Sequence, residues 1–311
     1  MRVFITGGTG FIGRALAEAL RARGDQVIVL SRSAQAALGD GIEVVEGDST
    51  AAGPWLAALA GCDAVVNLAG QSVGGQRWNA QYKQLIHDSR VETTRQIVEA
   101  IAALPPEQRP AVLVSASGID YYPFDVDLGA MVHWDDDDVV DESCPPGDTF
   151  LARVCRNWEA EARAAEPLGV RVVLMRTALV LGSGGPMDKM TTPYKFFAGG
   201  RIGNGRQWWC WIALADAVRA YLFAIDRNTV RGPVNLTAPR PVRNRDFARA
   251  LGKALHRPAW LPVPAFAVRA ALGEFADHVL LGRPCIPKAL EQAGFDFEYR
   301  ALEAALEASL A

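Results

Sequence analysis

Residues 3–20 read VFITGGTGFIGRALAEAL, and this stretch decides the fold. Val3–Thr6 is a short apolar, β-branched run of the kind that fills a strand buried on both faces. The next seven residues hold four glycines, and RALAEAL then repeats its apolar positions at helical spacing. Strand, glycine turn and helix follow one another without a spacer. In the spacing Gly7-x-x-Gly10-x-x-Gly13 one glycine permits the turn and one lets the backbone approach a pyrophosphate. Gly13 lets the helix pack against the strand. The helix N-terminus then offers free N–H groups and a positive dipole end to the phosphates. Thr9, Phe11 and Ile12 lie inside the same turn and are expected to share in cofactor binding.

The run Val27–Ser31 that follows is a second strand candidate and leads into Arg32. A site built for NAD places an acidic residue here, roughly 20 residues past the glycines, to hold the ribose 2′-hydroxyl. A guanidinium instead suits a 2′-phosphate, which a carboxylate would repel. Ser31 and Arg32, with Arg14 nearby, therefore point to NADP(H), with NAD(H) the lesser alternative.

Working outward, apolar runs at Ile42–Glu46, Ala64–Leu68, Ala111–Ser115 and Val170–Arg176 alternate with helical patterns at Arg14–Arg23, Ser89–Ala103 and Phe150–Glu166. A helix is expected after Trp211 with Asp216 near its start, and Pro233–Leu236 is a seventh strand candidate. The expected fold is α/β, a Rossmann-type doubly wound parallel sheet with a small, mostly helical C-terminal lobe. Residues 1–238 would form the nucleotide-binding domain, with substrate-side insertions about 183–210. Residues 239–311, punctuated by seven prolines and the helical segments Arg245–Leu255, Ala265–Gly273 and Leu302–Leu310, would form the lobe.

Composition narrows the function classes. Among 311 residues, 50% are hydrophobic and the net charge is −3, so a sizeable core is available and no basic footprint for nucleic acid exists. No apolar run approaches the roughly 18–20 residues that cross a bilayer. The glycines also interrupt the apolar stretch after Arg2, so it is not read as a secretion signal. Five scattered cysteines without CxxC spacing read as reduced thiols, and the histidines show no metal-ligand pattern. A cytoplasmic protein without a metal is expected, with a small-molecule substrate and a homodimer as an allowed assembly. The acidic run HWDDDDVVDE, residues 133–142, is expected to be a solvated loop.

Further residues carry a resemblance. TGGTGFIG with Asp48 and Asn67-Leu68-Ala69-Gly70 resembles the extended short-chain dehydrogenase/reductases. Arg77-Trp78, Ser89-Arg90, Ser115-Ala116-Ser117, Tyr121-Tyr122, Cys155-Arg156-Asn157-Trp158-Glu159 and the 199–208 stretch GGRIGNGRQW narrow it. Together with Pro241–Ala311 these resemble the atypical subgroup called epimerase family proteins, the NAD-dependent epimerase/dehydratases. The resemblance implies Asp48 near the adenine, Leu68, Ala69 and Gly70 along the adenosine ribose, and Ser115–Ser117 beside the nicotinamide ribose. It also implies Arg90 as a cofactor-contacting arginine and Val180, in Arg176–Val180, passing the nicotinamide.

Ordinary members of that superfamily use Ser with a Tyr-x-x-x-Lys pair, the lysine lowering the tyrosine pKa. Ser117 matches the serine, whereas Leu151 and Cys155 stand at the tyrosine and lysine places, and neither handles protons there. Tyr121 or Tyr122 could supply a phenol instead, or both could simply pack. Relatives tend to carry Gly-Tyr-Tyr-Gly here, where this chain has Asp120 and Pro123. They also commonly carry His and Asp where Ala213 and Ala215 stand. Two function classes stay open: an NADP(H)-dependent oxidoreductase or epimerase acting on a carbonyl, alcohol or sugar nucleotide, and a catalytically degenerate NADPH-binding regulator.

Overall fold

The computed structural model describes residues 1–33, 38–124 and 137–310. Its frame is a seven-stranded, all-parallel sheet. In chain order the elements begin β1 (Arg2–Thr6), α1 (Phe11–Ala22), β2 (Gln26–Ser31), β3 (Ile42–Glu46), β4 (Ala64–Asn67), α2 (Ala80–Ala103) and β5 (Val112–Gly118). They continue α3 (Phe150–Arg163), β6 (Arg171–Thr177), β7 (Leu179–Leu181), α4 (Pro186–Lys195), β8 (Trp208–Trp209), β9 (Trp211–Ala213), α5 (Leu214–Asp226) and β10 (Gly232–Leu236). The C-terminal part adds β11 (Val242–Arg243), α6 (Asn244–Ala254), α7 (Ala265–Leu272), α8 (Asp277–Leu280), α9 (Lys288–Gln292) and α10 (Leu302–Leu310).

The strand order is β10-β6-β5-β4-β1-β2-β3. It reverses direction between β1 and β4, and the crevice above the carboxyl ends of such a pair is where ligands of doubly wound sheets bind. Burial follows the period of two on both faces. Val3 and Ile5 join the core under α1 and α5, while Phe4 points to the opposite core, where its ring stacks on Trp55 with centroids 6.1 Å apart.

Two expected elements differ. The expected helix at Ser89 begins nine residues earlier, at Ala80, because Asn79 caps it by accepting the Tyr82 N–H at 2.8 Å. The fifth strand runs past Ser115 to Gly118, which carries Ser117 to the sheet's carboxyl edge.

The C-terminal third divides its apolar side chains between two cores. Leu290, Phe295 and Phe297 pack into the main core, whereas Phe247, Leu302 and Leu306 share a separate cluster with Leu181, Met187 and Trp211.

The acidic run departs from the expected solvated loop. Residues 133–136 lie outside the described residues and Asp137 stays exposed, but Asp141 and Glu142 are tied down. Asp137 accepts from Arg243 and from the Trp208 indole N–H, and Asp141 pairs with Lys288 at 2.6 Å. Glu142 accepts two backbone N–H groups, from Asn235 at 2.9 Å and Ala289 at 3.1 Å, joining β10 to the first turn of α9. A helix start needs just such an acceptor.

The Lys288 ammonium, with the Ser143 hydroxyl, holds the Asp141 carboxyl down at about 2. A depressed carboxyl adds stability that is complete above its unfolded pKa near 3.8 and is lost as pH falls through about 2. Lys288→Met should therefore be less stable than wild type above about pH 4 and indistinguishable from it below about pH 2. Urea unfolding across that range checks the sign.

Candidate nucleotide cleft and its buried ion pair

The glycine turn lies where its backbone can face a ligand. Gly7 has φ +70°, and a Cβ there would sit 2.6 Å from the Leu68 carbonyl carbon. Any side chain would push β1's turn away from the loop after β4. At Gly13 a Cβ would collide with the Gly7 carbonyl oxygen, so the helix can start only if that position is bare. Thr9 and Gly10 are exposed at the rim, and Gly10 begins α1 without a side-chain cap, leaving first-turn N–H groups open. Phe11 turns its ring beneath Gly182 and Gly185, and Ile12 packs at the edge of the main core.

At the outer end, Arg32 is exposed just past β2, and Ser31 accepts the Ser33 N–H at 3.2 Å. Asp48 is exposed, with its carboxylate accepting the Thr50 N–H and hydroxyl at 2.9 and 2.8 Å. Those bonds, with a lesser pull from Arg32, hold the Asp48 carboxyl below its ordinary range. Asp48 is thus braced in its own turn and near enough to Arg32 to feel its charge.

Two polar rows cross the carboxyl ends of the strands. Thr6, Asn67 and Ser115 are register partners on β1, β4 and β5. The Thr6 hydroxyl donates to Asn67 Oδ1 at 2.7 Å, and Asn67 Nδ2 donates to Thr94 Oγ1 on α2 at 2.8 Å. Ser115 is fully buried in this row, so its hydroxyl braces the floor of the cleft instead of facing it. Beyond the row, Leu68 and Ala69 are half-buried and Gly70 is exposed. The Arg90 guanidinium lies against Gly70, where a Cβ would come within 3.1 Å of Cζ. Arg90 spends one N–H on the Ile86 carbonyl at 2.9 Å and stacks over Trp158. No carboxylate forms an ion pair with it among the described residues, and burial lowers its pKa below the ordinary arginine value. A cation in that state favours an incoming anion.

The second row is ionic. Ser117, Arg176 and Asn235 are register partners on β5, β6 and β10. Glu159 on α3 meets Arg176 in a two-pronged ion pair, with Nε to Oε1 and Nη2 to Oε2 both at 2.8 Å. The Ser117 hydroxyl donates to the same Oε1 at 2.8 Å. Arg176 Nη1 donates to the Tyr122 hydroxyl at 2.9 Å, which donates onward to Asn235 Oδ1 at 2.7 Å. Burial opposes the Arg176 charge, but Glu159 and Tyr122 outweigh it and raise the pKa. Burial likewise pushes the Tyr122 phenol far above its ordinary value, against the pull of Arg176.

The candidate phenols therefore separate. Tyr122 is fully buried with its hydroxyl bonded on both sides, so the place expected for a free phenolic proton is filled by a structural one. Tyr121 is half-buried, its ring under the Arg176 guanidinium at 3.5 Å. Val180 is buried in the main core, so only its backbone can line a cleft. Leu151 packs with Tyr82 and Ile86. The Cys155 thiol is buried beside Gly118, and burial, with Asp120 and Glu159 nearby, pushes it up to about 12.

Sequence reading had named Ser117, Glu159 and Arg176 separately and missed that they meet. It also missed a hydrogen bond between His278 and Asp120, Nδ1 to Oδ1 2.7 Å apart. The available signal for the first was a charge at a core position: Glu159 shares the buried face of α3 with Cys155, Trp158 and Ala162.

This arrangement has relatives. The pattern of the NAD dependent epimerase/dehydratase family matches residues 3–236. The chain belongs to that family. A second pattern, described as a domain of unknown function, matches residues 263–309. An epimerase family protein of Arabidopsis thaliana, described as chloroplastic and an SDR39U1 homolog, is 40% identical across 99% of this chain and 86% of its own length. The crystal structure of human epimerase family protein SDR39U1 with NADPH is 34% identical, with TM-score 0.84 and 99% of both chains covered. UDP-glucuronic acid 4-epimerase from Bacillus cereus, in complex with NAD, shares the fold at TM-score 0.76 and 17% identity. The chain thus has an NAD(P)-binding fold. No helix among the described residues is long and apolar enough to cross a membrane.

Two outcomes follow from the buried row. Arg176→Met should cost about 3–5 kcal/mol by stranding Glu159, and adding Glu159→Leu should recover much of that loss. Chemical unfolding of the two single variants and the double variant measures the coupling. Separately, a native-state thiol titration at pH 8 should leave Cys155 unlabelled, because its thiol is protonated and shut off from solvent.

Proposed function

We propose that this protein is an NADP(H)-dependent oxidoreductase or epimerase-like enzyme acting on a small carbonyl or alcohol substrate. Arg32 carries the cofactor preference: it stands exposed past β2, where an NAD site would need a carboxylate. The residues present fit the cofactor. The bare turn at Gly7, Gly10 and Gly13 would take the pyrophosphate, and Asp48 would border the adenine. Leu68, Ala69 and Gly70 would border the ribose, with Arg90 offering charge to the anionic side. NADPH bound to the human relative supports the same reading. When bound, the dihydronicotinamide supplies a hydride.

This chain's own residues must then orient an oxygen and manage its proton. Ser117 is at the right edge of the sheet, but its proton goes to Glu159, so its free lone pairs accept from an alcohol better than they assist a carbonyl. Tyr121 is the more open phenol and completes that wall. The regulator reading draws on one observation: the lysine place holds a buried thiol that cannot lower a tyrosine's pKa.

Calorimetry with NADPH and NADH tests the cofactor preference. Wild type should favour NADPH, and Arg32→Ala should weaken NADPH roughly ten- to a hundredfold while leaving NADH nearly unchanged, as a lost charge-assisted contact predicts. Equal affinity of wild type for both nucleotides would sink the assignment.

A further inference from the structure

With Ser117 donating to Glu159, Tyr122 sealed in and the Tyr121 ring held under Arg176, the substrate side of the cleft calls for another proton donor. The C-terminal lobe supplies one. His278 on α8 reaches the turn after β5, and its Nδ1 lies 2.7 Å from Asp120 Oδ1. Asp120 stands three residues from Ser117. Its other carboxylate oxygen and the Cys155 thiol flank Gly118 on one side, 3.4 and 3.6 Å from where a Cβ would stand. The pair therefore lies beside the position at which the family's lysine is replaced by Cys155. His278 is framed by rings, with the Trp78 centroid 5.6 Å away and the Phe275 centroid 6.0 Å away and nearly parallel. Trp78 also packs with the cluster around Leu151, the tyrosine place. The dyad thus lies next to the two positions, Leu151 and Cys155, that stand in the places of the Tyr-x-x-x-Lys pair.

We propose that His278 and Asp120 form the proton-handling dyad of this cleft, His278 exchanging a proton with the substrate oxygen and Asp120 holding the imidazole in place. This rests on the reading of the cleft as an NADP(H) site. A carboxylate only accepts, so the ring carries its hydrogen on Nδ1, and Nε2 is left to give or take the second proton. In the reducing direction the proton leaves Nε2 of the imidazolium and ends on the carbonyl oxygen. A dihydronicotinamide supplies the hydride to the carbon, yielding an alcohol, the oxidised nicotinamide and neutral His278.

The charged neighbours suit the role. Burial opposes protonation of His278, but Asp120, with Asp277 and Glu274 behind it, outweighs burial and raises the pKa. Of the cations on that side, Arg90 lies within electrostatic reach of Asp120, and the others are engaged elsewhere. Lys83 pairs with Glu274, Arg269 with Asp277, and Arg77 donates to the Ala270 carbonyl. Only 10% of the His278 side chain is exposed, so solvent competes weakly for its proton.

The dyad has a binding signature that needs no turnover. As pH rises through the His278 pKa, the pair passes from a neutral ion pair to a net negative charge, and the cationic ring of NADP+ gains relative to the neutral ring of NADPH. The NADP+ to NADPH dissociation-constant ratio should fall about threefold or more as pH rises through the His278 titration, which imidazole NMR follows in the same samples. The 2′-phosphate titrates in both nucleotides and cancels in that ratio. His278→Gln should bind NADPH normally and show a flat ratio. Asp120→Asn should move the step to lower pH, together with the imidazole NMR titration of His278. A flat ratio in wild type, the same step in His278→Gln, or a His278 titration indifferent to Asp120→Asn would each overturn the dyad. If neither nucleotide binds wild type, the cofactor reading fails and takes the dyad with it.

Discussion

A charge inside a sheet has to be answered, and the Arg176 guanidinium sets the terms for everything at the carboxyl end of β5 and β6. Its five N–H donors lie in a fixed plane, so the acceptors must come to it. Glu159 fills one edge from α3, Tyr122 fills the next from the loop after β5, and Tyr121 covers the face. Each of those positions then fixes another. Glu159 captures the Ser117 hydroxyl, and Tyr122 passes its own proton to Asn235 on the edge strand. The helix packing of α3, the path of the β5 loop and the position of β10 are thus fixed by one group. Buried ion pairs seldom add net stability over apolar residues, so the return here is a unique arrangement of the cleft wall.

The cleft divides its labour between backbone and side chains. Near the glycine turn the requirement is space: the loop after β4 runs so close to Gly7 that no side chain fits. The neighbouring floor is neutral and hydrogen-bonded, through Thr6, Asn67 and Thr94. Charge appears at the two ends, Arg32 outside and Arg90 within, with Arg90 left short of carboxylate partners among the described residues. That pattern suits an elongated anion with phosphates at more than one point along its length.

How much of this could be read from the chain depends on the range of each interaction. The glycine turn and the buried strands are local, and their periods gave the doubly wound sheet before any coordinates. The first turns of α2 were hidden because Ala80–Asp88 offers only a short apolar stripe, Tyr82, Leu85 and Ile86, and the decisive group was one cap, Asn79. The ionic row was hidden for a different reason. Ser117, Glu159, Arg176 and Asn235 are scattered over more than a hundred residues, and only the order β5-β6-β10 makes them neighbours. The far end of the acidic run was hidden in the same way, since Glu142 finds its partners on β10 and α9, far along the chain.

The loss of the helical proton-handling pair has a structural corollary. A tyrosine and lysine on one helix are positioned by that helix alone, before any other domain arrives. Here α3 carries Leu151 and Cys155 at those places and its Glu159 is engaged by Arg176 and Ser117, so the other ionisable groups toward Ser117 sit on a turn, Asp120 and Tyr121, and on the C-terminal lobe, His278. Their geometry exists only when lobe and sheet are docked, held by the Asp120–His278 contact, the aromatic packing of Trp78 and Phe275, and the Lys83–Glu274 pair. Proton transfer at the proposed dyad would therefore depend on how the C-terminal segment packs against the sheet, whereas the helical pair would depend on α3 alone.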